Sequence, residues 1–167
     1  ILGKGAAQTL TTGEYNNIMG SFACGSGNMS GKFNNIFGYW AALKLTTGQH
    51  NNILGYEAVR ELTTGSSNNI FGKQAGYNLK TGDNNNIFGK WAAYNLTTGF
   101  NNNILGEQAA YNLATGDNNN IFGSMAGYSI TTGKNNIMMG NSTGYNTTTG
   151  EGSIFLGDSA GYYNVTG

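Results

Sequence analysis

The feature of this sequence that most constrains its fold is a repeat of 17 residues. A Gly that follows two apolar residues, here called the marker Gly, returns ten times, with steps of 17 residues and a single step of 18. The extra residue lies in "SFACGSGNMSG", residues 21–31. Apolar columns at a fixed period predict a stack of similar coils, each stable only against its neighbours. The marker positions are Gly3, Gly20, Gly38, Gly55, Gly72, Gly89, Gly106, Gly123, Gly140 and Gly157.

The residues within each copy favour β-structure. The chain has 28 Gly, many Asn and Thr, and no Pro; Gly, Asn and Thr are poor helix formers, and without Pro every backbone N–H can pair. Helical repeats use units of roughly 33 to 47 residues, whereas 17 residues suit one coil of two short strands. We predict an all-β fold, a parallel β-solenoid (β-roll) of ten coils. It is one repeat domain over 1–167, irregular at about 20–37, which we interpret as a fragment of a longer fibrous protein.

Two neighbouring apolar columns precede the marker Gly. Adjacent residues of a strand point to opposite faces, so both faces of this strand are apolar. One face fills the coil, and the other forms a stripe whose large side chains are each worth about 1.5 to 3 kcal/mol on burial. We therefore predict a homo-oligomer that covers this stripe. The candidate subunit-interface or core residues are Ile18, Ile36, Ile53, Ile70, Ile87, Ile104, Ile121, Met138 and Phe155.

Two Asn columns lie directly before these apolar columns. Identical amides stacked one coil apart can hydrogen-bond along the rod, so we predict an asparagine ladder. Its members are Asn16, Asn34, Asn51, Asn68, Asn85, Asn102, Asn119 and Asn136. The second column runs from Asn17 to Asn120 and becomes Ile137 and Ile154 in the last two coils. That replacement suggests that the second column faces the core.

Small and aromatic columns follow the marker Gly. An Ala column, a column of six consecutive Tyr and a Leu column stand two residues apart, and by the two-residue period of a strand they share one face. We expect that face to be the core. The Tyr column comprises Tyr77, Tyr94, Tyr111, Tyr128, Tyr145 and Tyr162.

Segments such as "NNIFGKQAGYNLKTGDNN" and "SIFLGDSAGYYNVTG" resemble the repeats of bacteriophage tail fibres and related fibrous surface proteins. They are also similar, more loosely, to the β-roll heads of trimeric autotransporter adhesins. The resemblance covers the whole chain and implies a parallel homotrimer of β-rolls. The chain departs from the adhesin pattern by carrying Asn where that strand has its first inward aliphatic residue.

Little in the sequence points to catalysis or to ion binding. Eight basic and eight acidic residues give no net charge, so we expect neither nucleic-acid binding nor membrane insertion. The only histidine, His50, has no column of carboxylates or nucleophiles around it, and a pectin-lyase type of enzyme would need longer coils and a charged groove. We therefore expect no enzyme, no metal site and no cofactor, with Cys24 as a small buried thiol.

Aromatic residues in otherwise variable columns are the candidates for contact with a receptor or surface. They are Tyr39, Trp40, Tyr56 and Trp91 just after the marker Gly, and Phe33 and Phe100 at the other corner. A large aromatic residue where sister coils carry Lys, Glu or Ser faces either solvent or a partner. Two explanations account equally well for these residues. They pack within the rod, or they contact a cell-surface glycan or protein receptor.

Three functions agree with this pattern. The first is a structural and adhesive fibre segment, of the tail-fibre or surface-adhesin type, that lies outside the cell or on a virion and attaches to a host or surface receptor. The second is an ice- or surface-binding solenoid, suggested by pairs such as Thr46 and Thr47, although adjacent Thr residues point to opposite faces. The third is a purely structural extracellular filament subunit.

Overall fold

The computed structural model describes residues 1–166, which form short β-strands and turns and contain no helix. Nine strands make one sheet in the order β1-β2-β3-β4-β5-β7-β9-β11-β12, and three make a second sheet in the order β6-β8-β10. The strands are β1 (Asn17–Met19), β2 (Asn35–Phe37), β3 (Asn52–Leu54), β4 (Asn69–Phe71), β5 (Asn86–Phe88), β6 (Thr98–Phe100), β7 (Asn103–Leu105), β8 (Thr115–Asp117), β9 (Asn120–Phe122), β10 (Thr132–Lys134), β11 (Ile137–Met139) and β12 (Ile154–Leu156).

Every pairing in both sheets is parallel and joins equivalent residues of neighbouring coils. Ile70 pairs with Ile87, for example, and Gly99 pairs with Gly116. The 17-residue period is therefore the length of one turn of the chain around the rod. The predicted all-β, parallel β-solenoid is confirmed, while the number of chains that assemble stays a prediction.

The core is a narrow column of apolar side chains inside the coils. The central residue of each strand from β1 to β11 in the large sheet is buried, which places the Ile column in the coil interior, and Met138 continues it. Of the two alternatives for this column, core or subunit interface, the structure shows the core for every member except Phe155, which is partly buried against it. The opposite wall comes from the buried Leu column: Leu45, Leu62, Leu79, Leu96 and Leu113.

The irregular second coil keeps this core continuous. Met29 forms a β-bridge with Leu10 and is fully buried. It therefore takes the position that Leu holds in other coils. The turn before Met29 is two residues longer than the turn before Leu10, and the segment from Met29 to Gly31 is one residue shorter than that from Leu10 to Gly13.

Tight corners connect the strands, and they recur in every coil. The marker glycines have φ near +140°, as at Gly89 with +135°, a region that is essentially restricted to Gly. Other corner positions hold non-Gly residues in the left-handed region, including Trp91 at +60°, Ala93 at +48° and Asn101 at +57°. The same unusual conformations in each coil allow the stack to stay in register.

The expected placement of the Tyr column in the core is wrong. The residues around Tyr77 and its equivalents form turns rather than a strand, so a two-residue period does not apply to them. Two adjacent small residues, such as Ala92 and Ala93, both point inward because the second has positive φ. The Tyr side chains that follow are half-buried at the outer edge of the coil.

The second Asn column was expected to face the core, but it lies on the outer face of the sheet. In β2, β4, β5 and β9 the Asn and the aromatic residue are both partly exposed, while the Ile between them is buried. Asn35, Asn69 and Asn86 therefore lie on the outer face of the sheet. The replacement by Ile137 and Ile154 adds aliphatic surface to the outside of the rod instead of the core.

Candidate functional site

A continuous row of apolar side chains runs along the outer face of the nine-stranded sheet. This row, here called the outward stripe, contains one residue from the end of each strand. Four Phe residues are half-buried, whereas the Leu and Met residues between them are more exposed, with Leu54 at 48%. At a strand spacing of about 4.8 Å, nine strands give a stripe roughly 38 Å long. Its members are Met19, Phe37, Leu54, Phe71, Phe88, Leu105, Phe122, Met139 and Leu156.

The outward stripe is not flat, because smaller Leu side chains lie between larger Phe side chains. Phe71 and Phe88 stack at 5.0 Å between ring centroids with planes 4° apart. Leu54 lies in a shallow depression lined by Phe37 and Phe71. The stripe therefore carries shape as well as apolar area.

A ladder of Asn side chains, here called the outer ladder, borders the outward stripe. Asn69 donates a hydrogen bond through Nδ2 to Oδ1 of Asn86 at 2.8 Å, and Asn86 donates to Asn103 in the same way. The bonds run in one direction from Asn17 to Asn120. Each amide in the middle of this ladder uses one of its two N–H donors.

A second ladder, here called the inner ladder, is buried inside the coil. Asn85 Nδ2 donates to Asn68 Oδ1 at 3.0 Å and to the carbonyl of Gly99 at 2.8 Å. Equivalent bonds recur from Asn16 to Asn136. These are the residues for which the sequence predicts an asparagine ladder, and that prediction is confirmed. Each inner-ladder amide after the first ties the start of a strand in the large sheet to the Gly 14 residues later, which for Asn85 is Gly99 in β6.

The six Tyr residues form a continuous stack along another edge of the rod. Successive ring centroids are 5.1 to 5.3 Å apart and the planes differ by 5 to 9°. The faces of the inner rings are therefore covered by neighbouring rings, and only edges and hydroxyl groups meet solvent. Sugar rings bind aromatic residues through exposed faces, so the stack is poorly suited to hold a pyranose by stacking.

The structure brings three of the candidate contact residues together. Tyr39 stacks on Tyr56 at 5.5 Å and contacts Trp40 at 4.7 Å, and the guanidinium of Arg60 lies 5.3 Å from the Trp40 ring. Tyr39 and Tyr56 are exposed and Trp40 is half-buried. We name Tyr39, Trp40 and Tyr56 the aromatic cluster.

The remaining candidates lie apart from the aromatic cluster. The Trp91 indole N–H donates to Gln74 Oε1 at 2.7 Å, and Lys90 Nζ lies 4.0 Å from the Trp91 ring. Phe33 stacks between Tyr15 and His50, with both centroid distances at 5.0 Å. Phe100 is exposed beside Asp117 on the second sheet. Sequence reasoning missed the stack formed by Tyr15 and His50, although both occupy the column of Phe33.

The Thr pairs divide between two roles. The first Thr of a pair uses its hydroxyl along the rod, as where Thr46 Oγ1 donates to the Thr63 carbonyl at 2.8 Å and Thr97 Oγ1 to the Ala114 carbonyl at 2.9 Å. The second Thr, such as Thr98, is exposed. The seven coils from Thr47 to Thr149 each thus present one exposed Thr next to the Gly, and the neighbouring outward column carries Phe100, Asp117 and Lys134. This face lacks the paired Thr rows that an ice-binding surface requires.

Burial changes the proton affinity of two side chains. Burial raises the pKa of the Cys24 thiol to about 12, so the thiol stays protonated at neutral pH. Partial burial, followed by the charges of Tyr77 and Tyr111, raises the pKa of Tyr94.

Among residues 1–166, no group of three or more His, Cys, Asp or Glu side chains is arranged to hold a metal ion. The same part of the chain contains no helix that could span a membrane.

Comparisons with known proteins give no relative for this chain. No protein family matches it, and no curated protein or solved structure matches it either.

Proposed function

We propose that this chain is a rod-shaped structural segment of an adhesive fibre, of the tail-fibre or surface-adhesin type, displayed on a virion or cell surface. The proposal assigns no reaction to the chain. The chain assembles with copies of itself through the outward stripe. The assembled rods present surfaces that contact a host or surface receptor. The single observation that carries the proposal is the outward stripe, because an apolar row along the whole length of a coil stack is costly to leave in water.

The stacked ladders support the mechanical part of the proposal. Backbone bonds between coils, the inner ladder and the Tyr stack all run along the rod axis. A force that separates two coils must break several of these bonds at once, so the rod resists extension. Repeat proteins of this kind also set their length by the number of coils.

Self-association is tested by measuring mass in solution. Light scattering on the purified chain is expected to give a multiple of 17.6 kDa. The variant with Phe71→Ser and Phe88→Ser removes the two stacked rings at the centre of the stripe and is expected to give monomers. Phe100→Ser is the matched control, because Phe100 is an exposed aromatic residue on the other sheet. A wild-type mass of 17.6 kDa at micromolar concentration contradicts the proposal.

The receptor-contact part of the proposal concerns the aromatic cluster. We expect the wild-type rod to bind a panel of cells or immobilised glycans and cell-surface proteins, and Tyr39→Ser with Tyr56→Ser to reduce that binding. Tyr163→Ser is the control, since Tyr163 is exposed outside the cluster. Equal retention of the two variants on every surface contradicts a role for the cluster.

A further inference from the structure

The order of residue types along the outward stripe is almost the same in both directions. From Met19 to Met139 its order is Met, Phe, Leu, Phe, Phe, Leu, Phe, Met. All nine strands of the sheet pair in register, so this order in sequence is also the order in space. The centre of this order lies between Phe71 and Phe88, so a reversed copy centred there would set Phe against Phe and Leu against Leu. A reversed copy shifted by one coil from that centre sets Phe against Leu instead.

We propose that the outward stripe docks on the outward stripe of a second copy in an antiparallel pair, with the two-fold axis passing through Phe88. This inference rests on the proposed self-association and specifies its partner and geometry. It differs from the parallel trimer that the resemblance implies. Three independent features of the surface argue for it.

The first feature is the fit of large side chains to small ones. With the axis at Phe88, Phe71 lies opposite Leu105 of the second copy, and Leu54 lies opposite Phe122. Large residues facing small ones let two layers interdigitate. In a parallel in-register pair each residue meets its own copy, so Phe rings collide while the Leu levels leave space.

The second feature is the charge at the corner beyond the stripe. The residue two positions after a stripe residue is exposed in every coil except the first of the stripe: Lys73 follows Phe71, and Glu107 follows Leu105. The antiparallel register places Lys73 opposite Glu107 of the second copy, and the symmetry creates this pair twice. Lys90 lies on the axis opposite its own copy, but within its chain it already pairs with Glu107 at 3.0 Å.

The third feature is the extent of overlap. Phe88 belongs to β5, the fifth of the nine strands in the sheet, so an axis at this residue covers every strand. An axis at Phe71 leaves the last two strands, β11 and β12, uncovered. A strip of roughly 38 Å by 13 Å on each copy buries on the order of 1,000 Å² in total, which is the area that a specific interface needs.

The outer ladder also fits this arrangement. A two-fold axis along the strands keeps the strand direction, so the outer ladder of one copy faces the outer ladder of the other. In the middle of the outer ladder, each Asn side chain has two N–H groups and uses only one of them to bond to the next Asn of the same ladder. The unused donors are available to carbonyl oxygens of the facing amides.

Disulfide trapping tests the geometry. In a Cys24→Ala background, Leu54→Cys and Phe122→Cys are prepared as separate proteins, which are then oxidised mildly either alone or as an equal mixture. We expect the mixture to give a linked dimer and each variant alone to stay unlinked. Because both substitutions lie on the surface stripe, circular dichroism of each variant checks that the solenoid is retained. Light scattering of the wild type is expected to give twice 17.6 kDa.

The other outcomes each overturn a defined part. Self-linking of both Leu54→Cys and Phe122→Cys shows a parallel arrangement, and self-linking of one alone shows an antiparallel axis at that residue. Linking of Leu54→Cys to Phe88→Cys shows an antiparallel register shifted by two coils. A mass of three chains, or a dimer without any linking at the stripe, overturns the antiparallel pair and leaves the proposed assembly in place. A monomeric wild type overturns the proposed assembly itself.

Discussion

Asn68 Oδ1 accepts two hydrogen bonds from Asn85, one from the backbone N–H and one from Nδ2, at 3.0 Å each. Asn85 in turn accepts the same two bonds from Asn102. Each buried amide therefore fixes both the side chain and the backbone of the next coil. A fully satisfied buried network of this kind specifies one register between coils.

Replacing Asn85 with Leu is expected to destabilise the chain by about 2 to 5 kcal/mol. The change removes the bond to the Gly99 carbonyl and leaves the buried N–H groups of Asn102 without an acceptor. Urea unfolding followed by circular dichroism measures the effect. Asn86→Leu is the matched control, because Asn86 is half-exposed and a sister coil already carries Ile137 at this position. We expect a loss below about 1 kcal/mol there; equal losses in both variants contradict the role of burial.

The marker Gly column should be intolerant of any side chain. A Cβ at Gly89 would lie 2.4 Å from the carbonyl oxygen of Gly106, and the φ of +135° is unfavourable for Ala. We expect Gly89→Ala to cost more than about 3 kcal/mol or to prevent folding.

Gly76 provides the matched control for that substitution. Its φ is +57°, the nearest atom to an added Cβ lies 3.5 Å away, and Ala93 occupies the equivalent position in the next coil at +48°. Gly76→Ala should change stability by less than about 1 kcal/mol in the same urea titration. A loss as large as that of Gly89→Ala would show that left-handed strain alone, rather than close backbone approach, governs both columns.

The sequence was sufficient to predict the coil because the repeat exposes which positions are equivalent. Strict alternation in "NNIFG" correctly indicates that Ile87 and Phe88 point to opposite faces, since that segment is a strand. The period does not say which of the two faces inward. The structure assigns Ile87 to the core and Phe88 to the surface.

Sequence reasoning failed where alternation was assumed outside a strand. Ala93 takes a left-handed conformation that is rare for Ala, and this bend turns Tyr94 outward. No propensity scale anticipates such a residue, because the stack of coils imposes the conformation. The exchange of Asn for Ile137 was misleading for a different reason: this column lies half-buried on the outer face of the sheet beside the outward stripe, and such a position accepts an aliphatic residue as a core does.

Cys24 should be inert in the folded chain. It is fully buried, and burial raises the pKa of its thiol to about 12, so almost none of the reactive thiolate is present near neutral pH. A thiol reagent is expected to modify Cys24 only after denaturation. Cys24→Ala should be close to neutral for stability, since Ala42 fills the same position in the next coil; rapid labelling of the native protein contradicts the buried placement.

Alkaline pH should destabilise the Tyr stack. The pKa of Tyr94 is raised by partial burial and then by the neighbouring Tyr77 and Tyr111. The folded chain therefore holds this proton more tightly than the unfolded chain does. The stabilisation is complete below the ordinary Tyr value of 10.0 and is lost as the pH rises through the folded pKa.

Tyr94→Phe separates ionisation from stacking, because it keeps the ring and removes the titrating hydroxyl. Urea midpoints measured from about pH 8 to pH 11 should fall less steeply above pH 10 for Tyr94→Phe than for the wild type. Tyr163→Phe, outside the parallel stack, is the control for the loss of one hydroxyl and should follow the wild-type curve. If both variants and the wild type fall in parallel, ionisation within the stack does not contribute, and alkaline unfolding must begin elsewhere in the coil.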